Sequence, residues 1–214
     1  MQIDIFSDTI CPWCFIGKRR LERALAQKPQ PDISFRWRAF QLNPTMPLEG
    51  MERTQYLELK FGGKEGAAQV YDAVEAAGRE EKIDFAFDRM QRTPNTVDSH
   101  RLIRFAEGKG LQEEVVETLF QRYFLRAEDI GDRAVLTEAA GEAGLDAGEA
   151  AAFLAGEELR VEIVREDEAA RRAGVNGVPC YIFAGRYGLP GAQPPEVLWQ
   201  MFDVALAEDG KQTA

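Results

Sequence analysis

Residues 7–17 read SDTICPWCFIG and contain two of the three cysteines in this 214-residue chain. Cys11 and Cys14 stand three positions apart, with Pro12 and Trp13 between them. A Cys-x-x-Cys pair can form a redox-active disulfide, hold a metal ion, or lie inertly in a hydrophobic core. The residues around the pair have to distinguish these three possibilities.

The segments on either side of the motif indicate a β-α-β unit. Residues 2–6 (QIDIF) and 31–40 (PDISFRWRAF) alternate apolar and polar side chains, as half-buried strands do. Between them, apolar residues recur at helical spacing from Cys14 onward, and Pro12 suits a first helical turn. The motif is therefore predicted to begin a helix, with Cys11 at the N-cap.

The rest of the chain divides by its sequence pattern. Residues 46–173 are rich in Ala, Glu, Arg and Leu and lack strand-like alternation, whereas β-rich patterns return after residue 173. We therefore expect an α/β core built from residues 1–45 (β-α-β) and 174–214 (β-β-α), interrupted by an inserted α-helical domain at 46–173. The helices predicted within the insertion are 52–60, 65–80, 99–108, 111–125, 133–142 and 157–173.

Composition argues against several classes of function. The net charge of -10 repels nucleic acid and anionic lipid, so we expect neither as a partner. No run reaches the roughly eighteen apolar residues of a spanning helix, and residues 1–10 lack a signal-peptide pattern. We expect a cytoplasmic protein, where reducing conditions favour a redox or metal role for a Cys-x-x-Cys pair over structural stapling.

The placement of the two cysteines favours dithiol chemistry. A helix N-terminus stabilises a thiolate, so Cys11 is expected to be an exposed nucleophile near neutral pH. Cys14 falls on the apolar face and is expected to be a buried, protonated thiol that resolves the mixed disulfide. Zinc is the rival interpretation, but a structural site needs four ligands, and the other donors, Cys180 and the single histidine His100, are isolated in sequence.

Other residues keep two interpretations each. Trp13 either contacts substrate or packs against its neighbours. Pro179 precedes a short β-rich run and, from its own sequence context, is compatible with a cis or a trans bond. Cys180 is expected to be a small buried apolar residue, with a place near the motif and a role in regulatory pairing as the alternative if Pro179 is cis. His100 is expected to be a surface or helix-capping residue, with a place facing the cleft between domains as the alternative. The aromatic residues of the insertion are expected to be core, with some facing Trp13 across a cleft.

Three stretches, DTICPWCFIG, GVNGVPCYIF and GAQPPEVL, together resemble the DsbA-like thioredoxin superfamily, in particular its FrnE-type cytoplasmic branch. The resemblance covers nearly the whole chain. It implies a thioredoxin fold with a large inserted α-helical domain and thiol–disulfide oxidoreductase activity. It also implies that Cys11 is the nucleophile, Cys14 the resolving thiol, and Pro179 a cis-proline packed against the motif.

Pro12, Trp13 and Val178 are the predicted substrate-binding residues. A cis bond before Pro179 would expose the Val178 backbone for strand-like pairing with an extended substrate. Two departures from the family bear on redox potential. Periplasmic DsbA proteins have a histidine at the position of Trp13, and DsbA carries an acid where this chain has Ile5. Strong oxidants such as DsbA have a potential of about -120 mV, and thioredoxin has one of about -270 mV. We therefore expect an intermediate or reducing potential for this chain.

The expected partners are a disulfide-containing protein or small molecule and a thiol reductant such as glutathione, with no bound cofactor or metal, in a monomer or homodimer. A second possible function is a glutathione-dependent isomerase or transferase of the kappa-class or 2-hydroxychromene-2-carboxylate isomerase type. Those enzymes have a serine where this chain has Cys11, so the two retained thiols argue against it. A third is a chaperone-like clamp without enzymatic activity.

Overall fold

A computed structural model describes residues 1–212, with the side chains of all of these except Lys64 and residues 208–212. Residues 213–214 of the predicted second core segment lie outside the described residues. The elements in chain order are β1 (Gln2–Ser7), α1 (Pro12–Gln27), β2 (Ser34–Ala39), β3 (Met51–Glu52), α2 (Arg53–Phe61), α3 (Lys64–Glu80), a 3-10 turn (Phe87–Arg89), β4 (Arg92–Thr93), α4 (Val97–Glu107), α5 (Gln112–Phe120), a π-helical turn (Gln121–Leu125), α6 (Arg133–Glu142), α7 (Ala147–Ala155), α8 (Arg160–Arg172), β5 (Cys180–Phe183), β6 (Tyr187–Pro190) and α9 (Pro195–Gln212).

The main sheet has four strands in the order β2-β1-β5-β6. β1 runs parallel to β2, with Ile5 opposite Trp37, and antiparallel to β5, with Ile5 opposite Tyr181. The β5–β6 hairpin completes the sheet. The two ends of the chain form this mixed sheet, and the helices α2 to α8 lie between β2 and β5 in sequence. This arrangement confirms the predicted α/β fold class. The domain boundaries near residues 46 and 173 stay predictions.

The first helix is held on the sheet by a stack of aromatic rings. Phe15 is almost fully buried and lies 5.2 Å from the Phe120 ring and 5.9 Å from the Phe124 ring, both nearly parallel to it. Trp37 of β2 meets Phe120 edge-on at 6.4 Å. Since large aromatic side chains bury much apolar area and prefer these geometries, the stack joins α1, β2 and α5 into one core.

Side chains from two helices cover the outer edge of β2. The Trp37 amide donates to Gln112 Oε1 at 2.7 Å and the Trp37 carbonyl accepts from Gln112 Nε2 at 3.1 Å. One residue pair further on, the Ala39 amide donates to Glu166 Oε2 at 2.9 Å. An unpaired strand edge is a template for aggregation, and here α5 and α8 satisfy it while they fix the helical region on the sheet.

Three features of the observed secondary structure differ from the prediction: α7, the start of α8 and the β3–β4 pair. α7 was not predicted, although Asp146 caps it by accepting from the Glu149 amide. α8 begins at Arg160 rather than at residue 157, because Leu159 adopts a left-handed backbone conformation with φ 63°. The short β3–β4 pair was also missed. Within the described residues, no helix combines the length and apolarity needed to cross a membrane.

Gly17 permits a close approach between α1 and the start of β5. A Cβ atom on Gly17 would lie 2.7 Å from Tyr181 Oη and 2.9 Å from Pro179 Cγ. Both distances are shorter than a Cβ contact tolerates, and Tyr181 is only 2% exposed. The absence of a side chain at this position therefore sets the distance between the helix and the loop that enters β5.

We expect Gly17→Ala to lower the free energy of unfolding by about 1–3 kcal/mol, because Pro179 and the buried Tyr181 must move to accept the methyl group. The matched control is Gly108→Ala, at a position where a Cβ meets nothing within 4 Å. That variant should change stability by less than about 0.5 kcal/mol. Urea denaturation followed by tryptophan fluorescence measures both, and equal effects of the two variants would contradict the packing argument.

Candidate active site

The Cys-x-x-Cys motif forms the first turn of α1, as predicted. Cys11 is the N-cap residue with φ -90° and ψ 112°, and Pro12 occupies the first helical position. The Cys11 amide donates to the Asp8 carbonyl at 3.0 Å, and the Cys11 carbonyl accepts from the Cys14 amide at 3.0 Å. The backbone of this turn therefore places Cys11 at the N-terminus of α1 and Cys14 within its first turn.

Cys14 lies underneath this turn and is 1% exposed. Burial raises the pKa of its thiol well above the ordinary value, and a hydrogen bond with Cys11 together with the negative charge of Cys11 raises it further. The Ser7 side chain and the Asp8 backbone act in the opposite direction by hydrogen bonding to its sulfur. The expectation that Cys14 is a shielded, protonated thiol beside Cys11 is confirmed.

The prediction that Cys11 is exposed is wrong, because its side chain is only 3% accessible. Its Sγ atom lies 3.6 Å from the Val178 carbonyl oxygen, and it lines a cavity of about 250 Å³ rather than the outer surface. The physical reason is a roof over the motif: Tyr56 of α2 and Tyr123 of the π-helical turn line the same cavity. Cys11 therefore faces an internal space enclosed in part by the helical region.

Trp13 and Pro12 also line this cavity. Trp13 is 36% exposed, as expected for an apolar ring at the edge of a site. Two aromatic residues of the inserted region, Phe87 and Phe124, face the same space. The predicted cleft between Trp13 and aromatic side chains of the helical region is thus present.

The Val178–Pro179 bond is cis, as the resemblance implied. The Pro179 carbonyl accepts from the Gly191 amide at 2.7 Å, which connects this loop to the end of β6. Val178 lines the cavity and its carbonyl faces Cys11. The structure thus brings together Cys11, Cys14 and the Val178–Pro179 loop, which are separated by more than 160 positions in sequence.

His100 is not the surface or capping residue that we expected. It is 3% exposed, and its Nε2 atom lies 3.2 Å from the Phe40 carbonyl, so this nitrogen carries a proton. The same nitrogen lies 3.5 Å from Oδ1 of Asp8, a fully buried carboxylate whose Oδ2 accepts from the Leu42 amide at 2.6 Å. The prediction failed because Asp8 and Phe40 come from the core and surround His100 only in the folded chain.

Cys180 begins β5 and is 7% exposed, as expected for a small buried residue. Burial raises the pKa of its thiol. Cys180 does not line the cavity that contains Cys11. Among the described residues, no three His, Cys, Asp or Glu side chains converge to hold a metal ion.

Besides Phe61, sequence reasoning missed three polar residues of α2 that line the cavity: Arg53, Tyr56 and Lys60. Their spacing of three and then four positions places them on one helical face. That spacing was visible in the sequence, but nothing local indicated that this face turns toward Cys11, because the contact depends on how the helical region is fixed to β2.

A dithiol at the N-terminus of a helix, opposite a cis-proline loop on a four-stranded mixed sheet, defines a thioredoxin-fold protein with a Cys-x-x-Cys site. The family model of the DSBA-like thioredoxin domain matches residues 2–203. The chain belongs to this family. Membership confirms the resemblance to DsbA-like oxidoreductases, and the FrnE-type branch stays a prediction.

Three similar proteins illustrate the family. A probable DsbA oxidoreductase from Streptomyces coelicolor has a TM-score of 0.87 and 32% identity, over 97% of this chain and 91% of that one. The uncharacterized protein YwbO of Bacillus subtilis (strain 168) is 26% identical, over 99% of this chain and 98% of its own length. The cytosolic disulfide reductase DsbM of Pseudomonas aeruginosa, solved with GSH, has a TM-score of 0.68 and 17% identity, with each chain fully covered, a likeness of fold.

The raised pKa of Cys14 predicts slow alkylation. In the Cys11→Ala/Cys180→Ala protein, where Cys14 is the remaining cysteine, iodoacetamide should react at neutral pH at least about a hundredfold more slowly than in the urea-unfolded chain. Burial is the largest cause of the shift and persists without Cys11.

The sign of the pH effect follows from the same shift. The unfolded thiol ionises near its ordinary pKa of 9.0, so its rate levels off there. The folded rate should still be rising with pH at that point, because the raised pKa keeps the thiol protonated. Mass spectrometry of timed samples measures both rates, and a folded rate that levels off near the unfolded value would contradict the assignment.

Proposed function

We propose that this protein is a thiol–disulfide oxidoreductase that exchanges disulfides through Cys11 and Cys14. The observation that carries the proposal is that the Cys11 and Cys14 thiols, one helical turn apart, have different environments. Cys11 opens to a cavity at a helix N-terminus, and Cys14 is buried beneath it with a raised pKa. Dithiol exchange uses one accessible nucleophile and one shielded thiol that acts second.

The exchange has two balanced steps. The Cys11 thiolate attacks one sulfur of a substrate disulfide, so that a Cys11–substrate S–S bond forms and the substrate S–S bond breaks, releasing the first thiolate. Cys14 then loses its proton to solvent and attacks Cys11 Sγ, which forms the Cys11–Cys14 disulfide and releases the second thiolate. The dithiol has been oxidised by two electrons and the substrate reduced by two. A thiol reductant such as glutathione restores the dithiol by the reverse sequence.

Groups around the motif have distinct roles in this proposal. The Ser7 hydroxyl and the Asp8 amide stabilise the Cys14 thiolate when it forms, since both hydrogen bond to its sulfur. Pro179 packs against Gly17 of α1 and holds the loop in place, so that the Val178 backbone can pair with the substrate chain. Pro12 and Trp13, which line the cavity, contact the bound substrate.

The proposal includes a reducing role in the cytoplasm. The side chain next to the nucleophile is Trp13, which carries no positive charge, and Ile5 beneath the site is apolar and buried. Neither residue supplies the extra stabilisation of the reduced form that makes DsbA a strong oxidant. The similarity of fold to DsbM, a cytosolic disulfide reductase solved with GSH, is compatible with this direction.

Insulin reduction tests the proposal. With glutathione as reductant, Cys11→Ser should reduce the rate to the uncatalysed background, because the attacking thiolate is lost. Cys14→Ala should abolish turnover but accumulate a mixed disulfide between Cys11 and substrate, visible on non-reducing gels. The matched control is Cys180→Ala, which removes a buried cysteine outside the cavity and should retain activity within about twofold.

The outcome also separates the rival functions. Conjugation or isomerisation with glutathione that survives both Cys11→Ser and Cys14→Ala would favour a kappa-class-type enzyme over disulfide exchange. Insulin reduction that persists in Cys11→Ser protein would overturn the proposed role of Cys11. A double variant that still suppresses aggregation of an unfolded protein, without reducing insulin, would favour the chaperone-like clamp.

A further inference from the structure

The cavity in front of Cys11 contains a buried cation without a counter-ion. Four lysine or arginine side chains among the described residues are buried: Lys18, Arg53, Arg101 and Arg122. Three of them have a carboxylate partner within 4 Å: Glu22 for Lys18, Asp98 for Arg101 and Glu128 for Arg122. Among the described side chains, no carboxylate lies within that distance of Arg53.

The polar contacts of Arg53 are neutral and incomplete. Nη1 donates to the Thr93 hydroxyl at 2.9 Å, and Nη2 donates to the Tyr71 hydroxyl at 2.5 Å. Nε is buried and has no hydrogen-bond partner within the described structure. The guanidinium also lies near the faces of two tyrosine rings, 5.4 Å from the centre of Tyr56 and 5.5 Å from that of Tyr71. Burying a charge without an opposite charge is costly, so this arrangement is electrostatically incomplete.

The other residues that line the cavity are basic, neutral polar or apolar. Lys60, two helical turns after Arg53, lines the same space, and the lining formed by described residues includes no Asp or Glu. This is a local excess of positive charge in a chain whose net charge is -10. The remaining lining is largely aromatic and aliphatic, including Trp13 and Phe87.

Arg53 and Cys11 act on the same region of the cavity. Tyr56 lines the cavity with both of them, and burial raises the pKa of its hydroxyl. The positive charge of Arg53 lowers that pKa, whereas the negative charge of Cys11 raises it. Cys11, Tyr56 and Arg53 therefore line one cavity, and the Tyr56 hydroxyl feels the charge of both other groups.

We propose that Arg53, assisted by Lys60, binds the anionic group of a small disulfide whose apolar or aromatic body fills the cavity, and so makes Cys11 selective for small anionic disulfides. This inference rests on the proposed function and names its substrate class. The ligand class combines three properties of the site: a disulfide for Cys11, an apolar body for the aromatic lining, and a carboxylate or similar anion for Arg53. The cavity of about 250 Å³ accommodates a small molecule.

The chemistry is the exchange described above. The Cys11 thiolate forms a bond to one sulfur of the small disulfide, whose S–S bond breaks to release an anionic thiolate. Cys14 displaces the retained half as a second anionic thiolate, and the Cys11–Cys14 disulfide forms. Because Cys11 is negative when it attacks, an anionic disulfide is repelled unless a cation offsets that charge, and Arg53 supplies the cation.

The test compares two aromatic disulfides that differ in charge. The reduced Cys180→Ala protein is mixed with dithiobis-nitrobenzoate, which carries two carboxylates, or with the neutral dithiodipyridine. Stopped-flow absorbance of the released thiol gives a rate constant for each, and the readout is the ratio of the anionic to the neutral rate constant. Arg53→Gln should lower this ratio by about tenfold or more, and Arg53→Lys, which keeps the charge, by less.

The matched control is Arg126→Gln. It removes one positive charge from an arginine that is paired with Glu142 and does not line the cavity. This variant should change the ratio by less than about twofold, since exposed charges are screened by solvent and salt. A ratio that is unchanged in Arg53→Gln, or lowered equally in Arg126→Gln, overturns the inference.

Two further outcomes keep the test decisive. Circular dichroism checks that Arg53→Gln is folded, and if it is not, Lys60→Gln replaces it, because Lys60 is on the same helical face with its amine exposed toward Asn43. Lys60→Gln should lower the ratio by about threefold, and no change would overturn the inference.

If the parent protein reacts with neither probe, or Cys11→Ser reacts as fast as the parent, the proposed function fails. If the parent reacts with both and only the ratio is insensitive, the selectivity of Arg53 alone is wrong.

Discussion

The first turn of α1 is supported from two directions, and this double support fixes both sulfur atoms. The end of β1 contributes Ser7 and Asp8, which hydrogen bond to the turn and to Cys14. The loop that enters β5 presses Pro179 against Gly17 on the other side. Because the helix cannot shift toward either support, Cys14 stays dry beneath the backbone while Cys11 keeps its place at the helix N-terminus. The different environments of the Cys11 and Cys14 thiols follow from the positions of these two residues in the first turn of α1.

A second consequence of the architecture is that the reactive sulfur does not face bulk solvent. The helical region is fixed to β2 by hydrogen bonds from Gln112 and Glu166 and by the ring stack around Phe15. That attachment brings α2 and the π-helical turn over the motif. Cys11 is accordingly reached through a cavity whose lining is drawn from both parts of the chain, so substrate selection depends on residues outside the sheet.

The sequence patterns predicted those features of the fold that depend on interactions between residues close together in the chain. The helix start at Pro12, the shielding of Cys14 and the strands on both sides follow from spacing within a few residues. The exposure of Cys11 and the place of His100 could not be derived in this way, because Tyr56 and Asp8 act on them from distant parts of the chain. α7 was missed for a different reason: it is a nine-residue, Ala-rich helix with little periodicity to separate it from a loop. The cis bond at Pro179 came from family resemblance, since the local sequence alone favours a trans bond.

The charges of this protein act at two ranges, and the difference explains how an acidic chain could accept an anionic ligand. At long range, the net charge of -10 repels anions, but at physiological ionic strength this field decays over roughly 8 Å. Inside the cavity, Arg53 and Lys60 act over a few ångströms and are less screened by water. Every other buried basic residue among those described is neutralised by acidic neighbours, so its field does not extend into the cavity. An anion that enters would therefore be repelled weakly on approach and attracted strongly once inside, so the cations of the cavity would determine how long it stays near Cys11.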